Sequence, residues 1–240
     1  MGAPNVTRWI GIGLLGLPLY GVMTFFSSLD PQPDPNTHLE AWARFVTTDS
    51  YALKHLLLSD LGIVFAIFGT FALGVHLASS RAGRMGLWAM VTTVLGSALF
   101  LPGMGVFAFS APEEGQAYLA GIEGLHKLPD ILANTMLALT SLLMVLLVFA
   151  GNLLLGAAVW RSGTLPKLAG ATWAAAAVLM YPMGLVYEAT IGPASTPPTV
   201  VAGAALMVAG GGWIALRAMR RDSLSSSAEL GGVQAQPRTQ

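Results

Sequence analysis

The stretch ALKHLLLSDLGIVFAIFGTFALGVHLA, Ala52–Ala78, decides the fold. After Asp60 it carries no Asp, Glu, Lys or Arg up to Ala78. A transmembrane helix needs about 20 mostly apolar residues, because the hydrocarbon core is roughly 30 Å thick and each residue rises 1.5 Å. This segment is long enough to cross with tilt to spare. Working outward from it, five more stretches qualify or nearly qualify: 9–26, 85–109, 131–160, 168–187 and 199–216. The expected fold class is therefore all-α, a polytopic bundle of six transmembrane helices over residues 1–222. The Ser-, Gly- and Gln-rich segment 223–240 has no apolar periodicity and is expected to be a disordered tail.

Composition agrees with the spans. Hydrophobic residues make up 54% of the 240 residues and charged residues only 10%. A soluble domain carries about 25% charged residues, so this inventory cannot build a water-facing surface. An ordinary soluble enzyme and a nucleic-acid binder with a basic patch are both excluded. The chain contains no cysteine, which removes thiolate nucleophiles, Cys-ligated metals and iron–sulfur clusters.

The 12 basic and 12 acidic residues cancel in number but not in position. With the N-terminus inside, the inner segments hold Arg8, then Arg81 and Arg84, then Arg161 and Lys167, then Arg217, Arg220 and Arg221. The outer segments hold only Arg44, Lys54 and Lys127, together with most of the acids. Lys and Arg mark the cytoplasmic side of short loops, so both termini are expected inside, in a bacterial cytoplasmic membrane. The first stretch is short, is interrupted by Pro18 and follows Arg8, so a cleaved signal peptide competes with a retained anchor there. A weak cleavage site and a Gly-rich core favour the anchor.

The outer loops carry helix signals. Thr37 and Glu40 have capping-box spacing, and Leu39, Trp42 and Val46 share a face. This predicts an amphipathic helix over about 37–46, lying in the interface with Trp42 at headgroup level. Ser110-Ala111-Pro112-Glu113 repeats the spacing and predicts a second such helix.

Polar residues inside spans are costly and mark function or pairing. In the second span His55, Ser59, Gly62, Ala66, Gly69, Leu73 and His76 form one stripe; its small residues favour a packing seam over a ligand face. Asp60 points away from that stripe and needs a partner of its own. Asp130, Asn134, Leu137 and Ser141 align on the fourth span, as do Tyr181, Gly184 and Glu188 on the fifth, beside Pro182. These stripes suggest an outer-side pocket lined by Asp60, Asn134, Tyr181 and Glu188, with His55, His126 and Lys127 at its rim. The competing reading is that these groups merely hydrogen-bond helix to helix.

Other chemistry is sparse. No nucleophile elbow, zinc pair or phosphate loop is present. His55 and His76 lie about 31 Å apart along one helix, which opposes a pair of haems. One outer haem held by His55 and His126 is the only cofactor arrangement the histidines permit, and the expectation is no cofactor and no metal.

The turn Trp160-Arg161-Ser162-Gly163-Thr164-Leu165-Pro166-Lys167-Leu168-Ala169-Gly170 resembles one in bacterial multi-pass membrane proteins of the DUF4386 type. The general plan of that group is also similar: an extracytoplasmic loop after the first span, then a span opening His-Leu-Leu-Leu. The resemblance implies a membrane bundle and brings no activity, so no catalytic residue carries over. The expected function is a non-enzymatic membrane component that binds a partner, lipid or small ligand. The alternatives are a small-solute or proton-coupled transporter using Asp60 and Glu188, and a membrane redox subunit or enzyme with outer histidines. Expected partners are the lipid bilayer and a membrane protein or second copy of the chain, with no nucleic acid.

Overall fold

The computed structural model describes residues 6–29, 32–122, 135–191 and 197–234. Among them every regular element is helical, and six helices are long and apolar enough to cross a membrane. The spans are Arg8–Ser27, Asp49–Ala78, Gly83–Leu119, Ala138–Arg161, Lys167–Ile191 and Pro198–Arg220. Each packs on its neighbours in sequence, and the sixth packs back on the first, closing a ring. Successive helices alternate in direction, so Arg8, Arg81, Arg84, Arg161 and Lys167 gather at one end, here the basic end.

Lipid tails are as apolar as leucine, so helices in a bilayer associate through close packing and polar contacts rather than through hydrophobic burial. Every seam of the ring uses glycine for this. Gly16 meets Gly69 between the first and second spans, and Gly86 meets Leu77 between the second and third. Gly96 meets Val148 between the third and fourth, Gly203 meets Ala176 between the fifth and sixth, and Gly21 meets Val208 between the sixth and first. The tightest seam joins the fourth and fifth spans, where Gly156 and Gly170 oppose each other. A Cβ on Gly156 would lie 2.7 Å from the Gly170 carbonyl oxygen, so only glycine allows this backbone approach.

The basic half of the ring is solid. Leu14, Leu73, Leu77, Leu155, Val159 and Ile214 are buried there, each fully shielded from solvent. The turn from the fourth to the fifth span seals that end. Ser162 donates to the Val159 carbonyl at 2.8 Å and accepts from the Leu165 amide at 3.1 Å. Gly163 follows with φ +68, the left-handed conformation glycine tolerates, and Pro166 caps the next helix.

The distal half differs from expectation in three ways. First, the third helix does not end near Phe109. It runs unbroken for 37 residues, about 55 Å, through both Pro102 and Pro112, and so projects beyond a roughly 30 Å hydrocarbon core. There is therefore no separate helix at Ser110–Glu113: Pro112 forfeits one backbone bond, and the projecting turns are held by tertiary contact. Secondly, the helix Leu39–Val46 packs its apolar face on that projection. Trp42, Ala43 and Val46 are buried with Tyr51 and Ala111, and a Cβ on Gly115 would meet Val46 Cγ2 at 2.6 Å.

Thirdly, the Thr37/Glu40 capping box is not made. Thr37 donates to Asp34 Oδ2 at 3.1 Å, and Glu40 instead accepts from Arg44 at 2.8 Å. Asp34 organises the entry turn. The backbone N–H of Asn36 donates to its Oδ1 at 3.0 Å and holds the carboxyl below the usual carboxylate range. The sixth helix also continues through Gln234 into the stretch expected to be disordered. No proline interrupts the chain between Pro198 and Pro237, so no breaker ends the helix at the bilayer surface.

Candidate functional site

Where the basic half of the ring is filled, the distal half is hollow. A cavity of about 350 Å³ lies on the ring axis, and all six spans contribute to its wall. The lining follows helical stripes. The first span supplies Tyr20, Thr24 and Ser27, the second Ser59, Ile63, Ala66 and Thr70, and the third Thr93, Ser97, Phe100 and Met104. The fourth gives Val145, Val148 and Asn152, the fifth Trp173, Met180, Tyr181, Gly184, Leu185 and Glu188, and the sixth Val200. Spacings of three and four put each set on one face of its helix.

The floor is polar and ordered. Trp173 is 1% exposed, and its indole N–H donates to Asn152 Oδ1 at 2.9 Å, joining the fifth span to the fourth. The Asn152 amide donates in turn to the Val148 carbonyl at 2.8 Å, and Thr93 donates to the Ala89 carbonyl at 2.8 Å. Higher up, the Tyr20 and Tyr181 hydroxyls approach to 3.4 Å, and Ser27 and Ser59 hydrogen-bond at 3.0 Å. At its distal end the cavity is bordered by Glu188, which is exposed.

Two helices lose their regularity at this level. In the fifth span the α-helix stops at Met180 and resumes at Pro182. Proline has no N–H for the carbonyl four residues back, and irregular backbone at membrane depth is tolerated where it is buried in protein or lines a cavity. In the second span His55–Asp60 form a π-helical turn, whose i→i+5 bonding widens the coil. Such turns often accompany functional sites.

The residues expected at an outer pocket divide into three groups. Tyr181 and Glu188 line the cavity, as does Gly184 of the same stripe. Asp60 and His55 do not line it, although Leu58 and Ser59 between them do. The π-turn also changes the geometry between His55 and Asp60 that regular α-helical counting gives. Wound at more residues per turn, the helix sets the two, five apart in sequence, closer in angle than an α-helix would. His55 stacks on Tyr51 with ring centroids 4.4 Å apart, on the flank of the Leu39–Val46 helix. Asn134, Asp130, His126 and Lys127 lie outside the described residues.

The second-span stripe works mainly as the expected seam. Gly62 and Gly69 pack against Met23 and Leu17 of the first span, while Ser59 and Ala66 border the cavity as well. Sequence reasoning missed the polar stripes of the first and third spans and, above all, Asn152. Their signal was present: Tyr20, Thr24, Ser27 and Thr93, Ser97 recur at helical spacing. Among the described residues no group of three or more His, Asp or Glu is placed to hold a metal ion.

No protein family matches this chain, and no curated protein or solved structure matches it either. A functional reading therefore rests on the cavity alone.

Proposed function

We propose that this chain is a non-enzymatic component of the bacterial cytoplasmic membrane, with both termini inside, whose ring of six helices holds a small, largely apolar ligand. The observation that carries this reading is the cavity: it has the volume range of small-molecule sites, a mostly apolar wall and a few convergent polar groups. No nucleophile paired with a base faces it among the described residues, so binding is favoured over catalysis. The transporter reading is less well supported. The way to the basic end is blocked by the Asn152–Trp173 bond and the leucine layer beneath it, giving a one-sided site.

One feature supports the orientation, and a second supports the level of the membrane surface. The basic residues collect at the solid end. Trp9, Trp88 and Trp160, exposed at 66%, 69% and 45%, stand near that same end, as an aromatic belt at a membrane interface would. The similarity of the Trp160–Gly170 turn to DUF4386-type proteins is consistent with this placement and adds no activity.

The test uses Trp173 as a reporter on the cavity floor. In lipid nanodiscs, with the other tryptophans replaced by phenylalanine, 1-bromododecane should quench Trp173 saturably. Gly184→Phe fills the cavity, since a Cβ there meets only Val200 at 3.3 Å, and should abolish the saturable part. Quenching that rises linearly and equally in both proteins would reflect partition into lipid alone and would sink the proposal. Matching thermal melts of the two proteins establish that the filled variant is folded.

A further inference from the structure

Two hydroxyls in the cavity wall are engaged by no described protein group. Thr70 is 2% exposed and Ser97 5% exposed, and both line the cavity. Among the described residues no hydrogen bond engages either side chain, whereas their polar neighbours are occupied: Thr93 by a backbone carbonyl, Asn152 by Trp173 and Val148. A mid-helix threonine or serine ordinarily back-bonds to its own helix, as Thr93 does. Both side chains line the cavity, so the partner open to their hydroxyls is a polar group inside it.

The rest of the wall restricts what the hydroxyls can meet. Among the described residues Glu188 is the only charged one lining the cavity, and it sits at the distal end. Nothing near Thr70 or Ser97 could neutralise a charge, and desolvating an ion there would be prohibitive. Between the two ends the wall is mainly apolar, with Phe100, Met104 and Val145, and hydroxyls there are paired with each other, Tyr20 with Tyr181 and Ser27 with Ser59. From Trp173 to Glu188 the fifth span rises about 22 Å, which suits a linear molecule better than a compact one.

Resting on the cavity's being a binding site, we infer that its ligand is an uncharged long-chain molecule ending in one hydroxyl or carbonyl group. That polar end lies at the floor, with its oxygen accepting from the Thr70 and Ser97 hydroxyls. The chain extends past Phe100 and Met104 towards the distal end. This orientation is opposite to that of a bilayer lipid, whose polar end stays at the surface.

Orientation makes the inference testable. The Trp173 reporter protein in nanodiscs is titrated with 2-bromododecan-1-ol, 12-bromododecan-1-ol and 1-bromododecane. With the hydroxyl at the floor, bromine on carbon 2 lies near Trp173 and bromine on carbon 12 lies far from it. The 2-bromo alcohol should therefore give the stronger saturable quenching. Thr70→Val with Ser97→Ala preserves shape and removes both donors. It should weaken half-saturation by the alcohols about tenfold and leave 1-bromododecane unchanged. The single variants should fall between, and an unchanged melt shows that the double variant is folded.

Stronger quenching by the 12-bromo alcohol overturns the assignment, because the polar end would then sit beside Glu188. Unchanged alcohol binding in the double variant overturns it as well. Saturable binding of all three probes without preference removes this inference and leaves the cavity as a binding site. The absence of any saturable quenching removes both.

Discussion

At the residue scale, Asn152 and Trp173 matter most for the shape of the site. Among the described residues their hydrogen bond is the one interhelical side-chain bond at the cavity floor, and both residues are buried, at 3% and 1% exposed. Trp173→Phe keeps an aromatic ring in place but leaves Asn152 Oδ1 without its donor. The expected cost is about 1–3 kcal/mol, read as a lower midpoint in detergent unfolding. Adding Asn152→Leu to that variant removes the unsatisfied amide and should restore part of the loss. A double variant no more stable than Trp173→Phe alone would mean that the bond does not hold the floor. Neither residue stood out in the sequence. A lone asparagine in an apolar span signals only that a partner exists, and the partner is a tryptophan 21 positions away on another helix. Tyr181 and Glu188 were legible because one span carries both at helical spacing, and the break at Tyr181 leaves both on the cavity wall.

At the element scale, the six spans could be read from hydropathy, but not their irregularities. A π-turn at His55–Asp60 leaves no mark in composition, and it shifts every face assignment made by counting 3.6 residues per turn. The third helix shows the opposite failure. Its capping signal at Ser110 is a local preference, and contact with the Leu39–Val46 helix overrides it. Glycine was legible as a packing residue, yet which glycines bear on backbone depends on the helix neighbours. That distinction yields a prediction. Gly156→Leu must displace the fifth span, whose Gly170 carbonyl oxygen a Cβ would meet at 2.7 Å, and should destabilise the bundle by about 1–3 kcal/mol. Gly103 and Gly105, equally helical, have open space where a side chain would begin, with nothing within 4 Å of an added Cβ. Alanine at either should therefore be neutral or stabilise by up to about 1 kcal/mol. Thermal melts of the three variants in one detergent decide it. Equal losses at all three positions would show that flexibility, rather than close approach, is why glycine stands at Gly156.

At the scale of the whole molecule, the ring has two unlike ends. One is solid, basic and ringed by exposed tryptophans; the other is hollow, with a helix riding on the projecting third span. A bundle built this way presents its cavity to only one side of the membrane, so the orientation decides which compartment the ligand comes from. If Lys and Arg set the topology, the cavity opens outward. The chain offers a direct check because it has no cysteine, so a single introduced thiol is the only one present. Ser50 and Ser79 are both exposed and stand at opposite ends of the second span. In intact cells a membrane-impermeant maleimide should label Ser50→Cys and spare Ser79→Cys, which should react only after permeabilisation. The reverse pattern would turn the cavity to the cytoplasm and make its ligand a cytoplasmic molecule. Labelling of both thiols in intact cells would mean that the chain does not hold one orientation, and the basic end would then have lost its meaning as a topological signal.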